Sequence, residues 1–146
     1  MKTLLAIFLL VLSGQLFAQG IEGTWKTIDD ETGEAKSLIE VWFDGKKYQG
    51  KIIELLDPKE ENPICTACEG VQKDQPILGM QIIFDAKKYG SKYKKGEILD
   101  PGNGKLYSLV MELENDNELK VRGFIGFALL GRTQVWHRVV DTKTTN

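Results

Sequence analysis

After the first eighteen residues, apolar and polar residues alternate in short runs, and turn-forming pairs interrupt each run before it reaches the length of a helix. No window of a dozen residues keeps the i, i+3, i+4 stripe that an amphipathic helix needs, whereas alternation with a period of two is the mark of a half-buried strand. Eight runs meet that description: 21–28 "IEGTWKTI", 36–44 "KSLIEVWFD", 46–55 "KKYQGKIIEL", 79–85 "GMQIIFD", 96–100 "GEILD", 105–113 "KLYSLVMEL", 118–125 "ELKVRGFI" and 131–139 "GRTQVWHRV". Asp44-Gly45, Asn103-Gly104 and the polar "ENDNE" separate neighbours with the chemistry of tight reversals, so successive strands are expected to pair as antiparallel hairpins. Eight strands joined in this way form an all-β, up-and-down meander. Closure into a barrel removes its two exposed edges, and a barrel of that size has room for packed side chains or one small ligand. A two-sheet sandwich stays open at this point, because counting hairpins does not register closure.

The first eighteen residues are of a different kind. "MKTLLAIFLLVLSGQLFAQG" has one cation at Lys2, an apolar run over 4–12 and then small and polar residues, which is the build of a secretory signal peptide. Leu16 and Ala18 suit the third and first positions before a cut, so cleavage is expected after Ala18, and the apolar run is too short for a stop-transfer helix. Residues 19–146 then form one domain, exported to the periplasm or the medium, with no transmembrane segment. Removing 18 of the 146 residues leaves 128, enough for a modest core, and the loss of Lys2 turns 19 basic residues into 18 against 21 acidic ones. That balance of −3, with His137 neutral, does not attract a polyanion. The basic stretch "KKYGSKYKKG", 87–96, reads as a solvated loop between strands, and no nucleic-acid partner is expected.

The two ends of the domain fit a closed barrel. Gly23, Thr24 and Trp25 lie on the first strand, and "GRTQVW", 131–136, opens the last one, so closure would bring Trp25 and Arg132 together. A guanidinium laid over an indole face, its fork reaching carbonyls at the barrel's end, would contribute about 1 kcal/mol from the cation–π part. A Gly-x-Trp start with a covering arginine at the end resembles the lipocalins and their calycin relatives. Over roughly 20–140, the ordered set "GTWKT", "PILGMQI", "GEILDPGNGKLYSL" and "LKVRGFIGFALLGRTQVWHRV" resembles the exported bacterial domain-of-unknown-function family 2147. What the resemblance implies is a lipocalin-like barrel outside the cytoplasm with no established activity. It carries over no catalytic residue.

Cys65 and Cys68, the two cysteines of the chain, sit in "NPICTACEG". A zinc site would need two further nitrogen or sulfur ligands, and the chain has no third cysteine and one histidine, His137 on the last strand. Haem attachment needs a histidine after the second cysteine, where Glu69 stands. A dithiol oxidoreductase places its first cysteine at a helix N-terminus inside a βαβ unit, and neither is present here. In an oxidising compartment the expected state is a Cys65–Cys68 disulfide. The chain-entropy model gives about 2 kcal/mol for so small a loop, and a redox role is the alternative reading, since an exposed bridge would be labile. The connection that carries the pair, 57–77, is far longer than a hairpin loop and is expected to act as a lid or binding element, with a disordered excursion held by the one bridge as the other reading.

The remaining candidates have ordinary readings. Asp100, Asn103 and Lys105 crowd together as turn residues. His137 alternates with Trp136, and the histidine is the one expected to face out. Glu40 and Glu54 would matter only if their side chains pointed inward, and on the second strand Ile39, Val41 and Phe43 make a better core set than Leu38, Glu40 and Trp42. "GFIGFALLGR", 123–132, is the most apolar stretch of the domain; it is expected to close one end of the barrel, with an exposed apolar mouth as the other reading. The expectation is an exported, lipocalin-like barrel which, as the resemblance to the lipocalins implies, binds a small apolar ligand, and no catalytic residue, metal or cofactor is assigned. Trp42, Tyr48, Tyr107 and Phe124 are the expected cavity wall, and Trp25 and Arg132 the architectural pair. The alternatives are an envelope interaction module with a filled barrel and a redox protein using Cys65 and Cys68.

Overall fold

In a computed structural model, the described residues are 19–56, 59, 61–127 and 130–140. The expected export segment, 1–18, lies outside them. Eight strands follow in chain order: β1 (Gly23–Ile28), β2 (Ala35–Phe43), β3 (Tyr48–Leu55), β4 (Gln81–Tyr89), β5 (Lys92–Asp100), β6 (Lys105–Asn115), β7 (Glu118–Phe124) and β8 (Gly131–Arg138). Each pairs antiparallel with the next, and β8 returns to β1, so the sheet closes into an up-and-down barrel and the sandwich is excluded. Among the described residues no helix is long and apolar enough to cross a membrane.

Strand alternation builds the interior. Ile39 and Val41 on β2, Leu109 and Met111 on β6, Leu119 and Val121 on β7 and Trp136 on β8 are buried, while their sequence neighbours face outward. Phe43, expected with the β2 core set, is 44% exposed at the strand's end and packs on Tyr48 with ring centroids 4.9 Å apart. Glu40 points outward and pairs with Lys51 at 3.1 Å, so it is no buried carboxylate, and Glu54 is exposed.

Two expectations are corrected here. The basic stretch 87–96 is not a loop. β4 runs on to Tyr89, Gly90 and Ser91 make a tight reversal, and β5 starts at Lys92, so the lysines stand on a paired hairpin. Alternation was hidden in this stretch because Lys88, which shares the parity of the inward Ala86 and stands opposite Tyr93, is itself charged, and because the extra residue Lys95 shifts the period. The second correction concerns the arginine over Trp25, which is Arg138 and not Arg132. The Arg138 guanidinium carbon lies 4.2 Å from the indole centroid, and its nitrogens donate to the carbonyls of Gly20, Glu22 and Asp116. The register explains why: β1 and β8 are antiparallel, so Trp25 stands opposite Arg138, at the far end of β8 from Arg132. Trp25 itself is fully buried and donates its indole N–H to the Ile21 carbonyl at 2.8 Å, which seals this end of the barrel.

Candidate functional site

The other end is open. The β1–β2, β3–β4, β5–β6 and β7–β8 connections all lie there, and below them the barrel encloses a cavity of about 540 Å³. Its walls divide by chemistry. Ile39, Ile52, Leu55, Ile82, Ile98 and Val121 supply an aliphatic surface, and Trp136 adds an indole. Thr27, Ser37, Gln134, Asn103 and Tyr107 supply polar groups. The barrel is therefore not filled by its own side chains.

The polar groups are held in place by one another. Thr27 and Ser37, each 7% exposed, share a hydroxyl–hydroxyl hydrogen bond of 2.8 Å, and the Ser37 amide donates to the Thr27 hydroxyl at 3.2 Å. Two hydroxyls bonded to each other use one hydrogen between them, so one hydroxyl hydrogen is left for a weak bond to the Ser37 carbonyl at 3.4 Å or for a guest. On β8, Gln134 accepts from the Trp136 indole N–H at 3.0 Å and donates to the Asp30 carboxylate at 3.0 Å, and Arg132 also binds Asp30. Asn103 donates to the Tyr107 hydroxyl at 2.8 Å. The result is a preorganised polar strip on β8, β1 and β2, with the Asn103–Tyr107 pair across the cavity and the charged Lys36, Lys59, Asp100 and Arg132 also in its lining, and apolar walls between them, a pattern that suits a site orienting a small molecule.

The long β3–β4 connection forms part of the rim through Pro63 and Ile77. It is an ordered element. Ile64 bridges to Pro76, the Cys65 amide donates to the Gln75 carbonyl, and the Ile77 amide donates to the Pro63 carbonyl. Cys65 and Cys68 are joined in a disulfide with Cα atoms 5.3 Å apart, and both are buried, at 0% and 1% exposure. The bridge packs on the β5–β6 turn, where Gly104 has φ +72° and its Cα lies so near Ala67 that a Cβ would be 1.9 Å from the Ala67 carbonyl oxygen. Sulfurs so covered are poorly placed for exchange with an external thiol.

Of the four residues expected in the wall, one is there. Tyr107 lines the cavity. Trp42 shares the outer face of β2 with Glu40 and lies under the Lys51 ammonium, 5.5 Å from the ring centroid. Tyr48 packs edge-on against Tyr93, centroids 4.8 Å apart, near the sealed end, and burial raises the pKa of both phenols. Phe124 belongs to the outer surface. The wall that was missed is aliphatic, with Trp136 beside it, and strand parity was the signal for it: Leu119 with Val121, and Gln134 with Trp136, each share a face. His137 faces out as expected, 4.0 Å from Glu118. Asp100 and Asn103 cap the turn amides of Gly102 and Lys105. In the apolar 123–132 stretch, Ile125, Phe127 and Leu130 are 52%, 80% and 72% exposed at the open end, so the described part of it forms an apolar rim and not a plug; residues 128–129 lie outside the described set.

A family profile described as "Uncharacterized protein conserved in bacteria (DUF2147)" matches residues 23–138. Among curated proteins no sequence matches. Among solved structures, the chain is similar to one described as protein HP1028 from the human pathogen Helicobacter pylori, which belongs to the lipocalin family. The TM-score is 0.74 at 17% identity, covering 85% of this chain and 86% of that one, which shows a shared lipocalin-like fold.

Proposed function

This chain belongs to the DUF2147 family of bacterial proteins, and on that premise we propose that it is an exported binding protein that holds one small amphipathic molecule inside its barrel. The observation that carries the reading is the cavity of about 540 Å³, within the usual range for small-molecule sites, with an aliphatic wall on one side and the Thr27–Ser37 and Gln134 polar groups on the other. Burial of apolar ligand surface supplies the affinity, and the polar strip sets orientation. The exposed Ile125, Phe127 and Leu130 offer an apolar approach to the mouth. Export is supported by the three-part build of residues 1–18 and by the Cys65–Cys68 bridge, which persists in an oxidising compartment.

Native mass spectrometry of the protein purified from its own envelope without detergent, repeated after organic extraction, tests the reading. A bound small molecule that leaves on extraction and rebinds more weakly to Val121→Trp, whose indole projects into the cavity, is the expected result. A bare protein mass, with no uptake of amphipathic probes by the folded protein, would refute it.

A further inference from the structure

A second concavity, of about 560 Å³, lies on the outer wall across β4 to β7 and takes no part in the interior site. Phe84, Val110 and Phe124 give it an apolar floor. Lys47, Lys87, Lys94 and Lys95 place four ammonium groups around it against two carboxylates, Asp85 and Glu97. Asp85 is already engaged by Lys47 at 3.0 Å and by Gln49 at 2.8 Å. Among the described residues Lys87, Lys94 and Lys95 form no ion pair, so the groove keeps an excess of positive charge on a chain whose overall charge is negative.

Two features of this wall act against stability. Lys87 and Lys94 stand directly opposite each other on β4 and β5, where like charges repel. Lys95 has φ +61°, a left-handed conformation that a lysine rarely adopts, and it is the extra residue of a bulge between Lys94 and Gly96 in the β5–β6 ladder. The bulge has a definite consequence. In a regular strand Lys94 and Lys95 would point to opposite faces, yet both ammonium groups lie 5.1 Å from the Tyr89 ring centroid on the outer side. Gly96 is what permits it, since a Cβ there would lie 2.4 Å from the Phe84 carbonyl oxygen. An unfavourable conformation that turns a third lysine onto the face already carrying Lys87 and Lys94 is a device for gathering positive charge beside apolar side chains.

We infer that this outer groove is a second ligand site, for an organic anion that carries a phosphate or carboxylate on a small apolar body. Lys87, Lys94 and Lys95 hold the anionic group, and Phe84, Val110 and Phe124 hold the body. The site is independent of the barrel interior and stands whether or not the interior carries a ligand.

Amide-resolved NMR titration of the folded protein with 1-naphthyl phosphate tests it, with inorganic phosphate, 1-naphthol and phosphatidylglycerol vesicles as separate arms. Shifts should concentrate at Phe84, Lys94, Lys95, Val110 and Phe124, and either half of the probe alone should bind more weakly. Lys94→Gln should weaken binding about fivefold with little change in melting temperature, because the repulsion with Lys87 that it removes offsets the contact with the Tyr89 ring that it gives up. Lys95→Gly should likewise weaken binding while relaxing the backbone. Equal shifts with inorganic phosphate would overturn the site, as would shifts confined to Val121 and Trp136, binding to vesicles alone, or variants that bind like the wild type.

Discussion

Replacing Arg138 with methionine separates the two arginines of the last strand. The substitution keeps an unbranched apolar stem over the Trp25 indole and removes the guanidinium, which lies 4.2 Å from the ring centroid and donates to three carbonyls. Burial lowers the guanidinium pKa from its ordinary value, the sign of a partly desolvated cation, so its hydrogen bonds carry more than those of an exposed side chain. The cation–π contact contributes about 1 kcal/mol at such a site. Water can replace the donor at the more exposed Glu22 and Asp116 carbonyls, leaving about 0.5 kcal/mol for each bond, while the bond to Gly20, at 2.7 Å and partly buried, contributes about 1 kcal/mol. The sum is about 3 kcal/mol, or a fall in melting temperature of about 12 °C for a domain of this size. Urea unfolding followed by tryptophan fluorescence measures it, with Trp25 at the contact contributing to the signal beside Trp42 and Trp136. Arg132→Met is the control: its ion pair with Asp30 is 62% and 40% exposed, and its loss should cost under about 1 kcal/mol. A loss below about 1 kcal/mol for Arg138→Met, or an equal loss for Arg132→Met, would refute the assignment of the sealing role to Arg138.

Two further outcomes follow from local geometry. Gly104→Ala places a Cβ 1.9 Å from the Ala67 carbonyl oxygen in a left-handed conformation, so it should cost more than about 2 kcal/mol and shift the amides of Ala67 and Cys68, read by chemical unfolding and NMR; an unchanged midpoint would contradict the packing of the bridged loop on the β5–β6 turn. The Gln49 side chain, followed for Asp85 by Lys47 and for Asp44 by the turn amides of Lys47 and Lys46, holds both carboxyls below the usual carboxylate range. Carboxyls with a depressed folded pKa stabilise the protein above their unfolded value near pH 4, and this contribution disappears as pH falls through the folded value. The difference in melting temperature between wild type and Gln49→Leu should therefore be largest near neutrality and narrow below about pH 4; a gap constant from pH 7 to pH 3 would show that the two carboxyls do not depend on Gln49.

The strand count and the barrel were legible because strands and turns are local. Alternation sets which residues face the core, and Asp44-Gly45 and Asn103-Gly104 set where the chain reverses. The β4–β5 hairpin was not legible as strand. Its outward positions carry lysines whose reason for being there is not core packing, and its inward alternation is broken by the bulge at Lys95, which shifts the period by one residue. The cavity wall was misread for a different reason. Aromatic size drew attention to Trp42 and Phe124, although parity with Glu40 and with Arg122 puts both on the outer surface. Parity also pointed to Val121 and Trp136. The arginine at the seal could have been found in the same way: antiparallel closure sets the end of the last strand, not its beginning, beside the start of the first.

The β1–β8 seam gives the two arginines complementary places. Backbone register joins these strands at Trp25 with Arg138 and at Lys26 with His137, extended at the sealed end by the Val139 amide donating to the Thr24 carbonyl, whereas β2 pairs with β3, and β6 with β7, along most of their length. Beyond Lys26 the seam is held by side chains. Arg138 ties β8 to the segment before β1 through Gly20 and Glu22, and at the open end Arg132 and Gln134 tie β8 to Asp30 just after β1. Between these two ties lie Thr27 and Ile28, outside the backbone ladder to β8 and in the cavity wall together with Gln134. The polar strip of the cavity thus coincides with the stretch where main-chain pairing stops. A guest that hydrogen-bonds across Thr27 and Gln134 would supply part of the connection that the ladder omits, so under the proposed function ligand occupancy would favour closure of the barrel through the same few atoms.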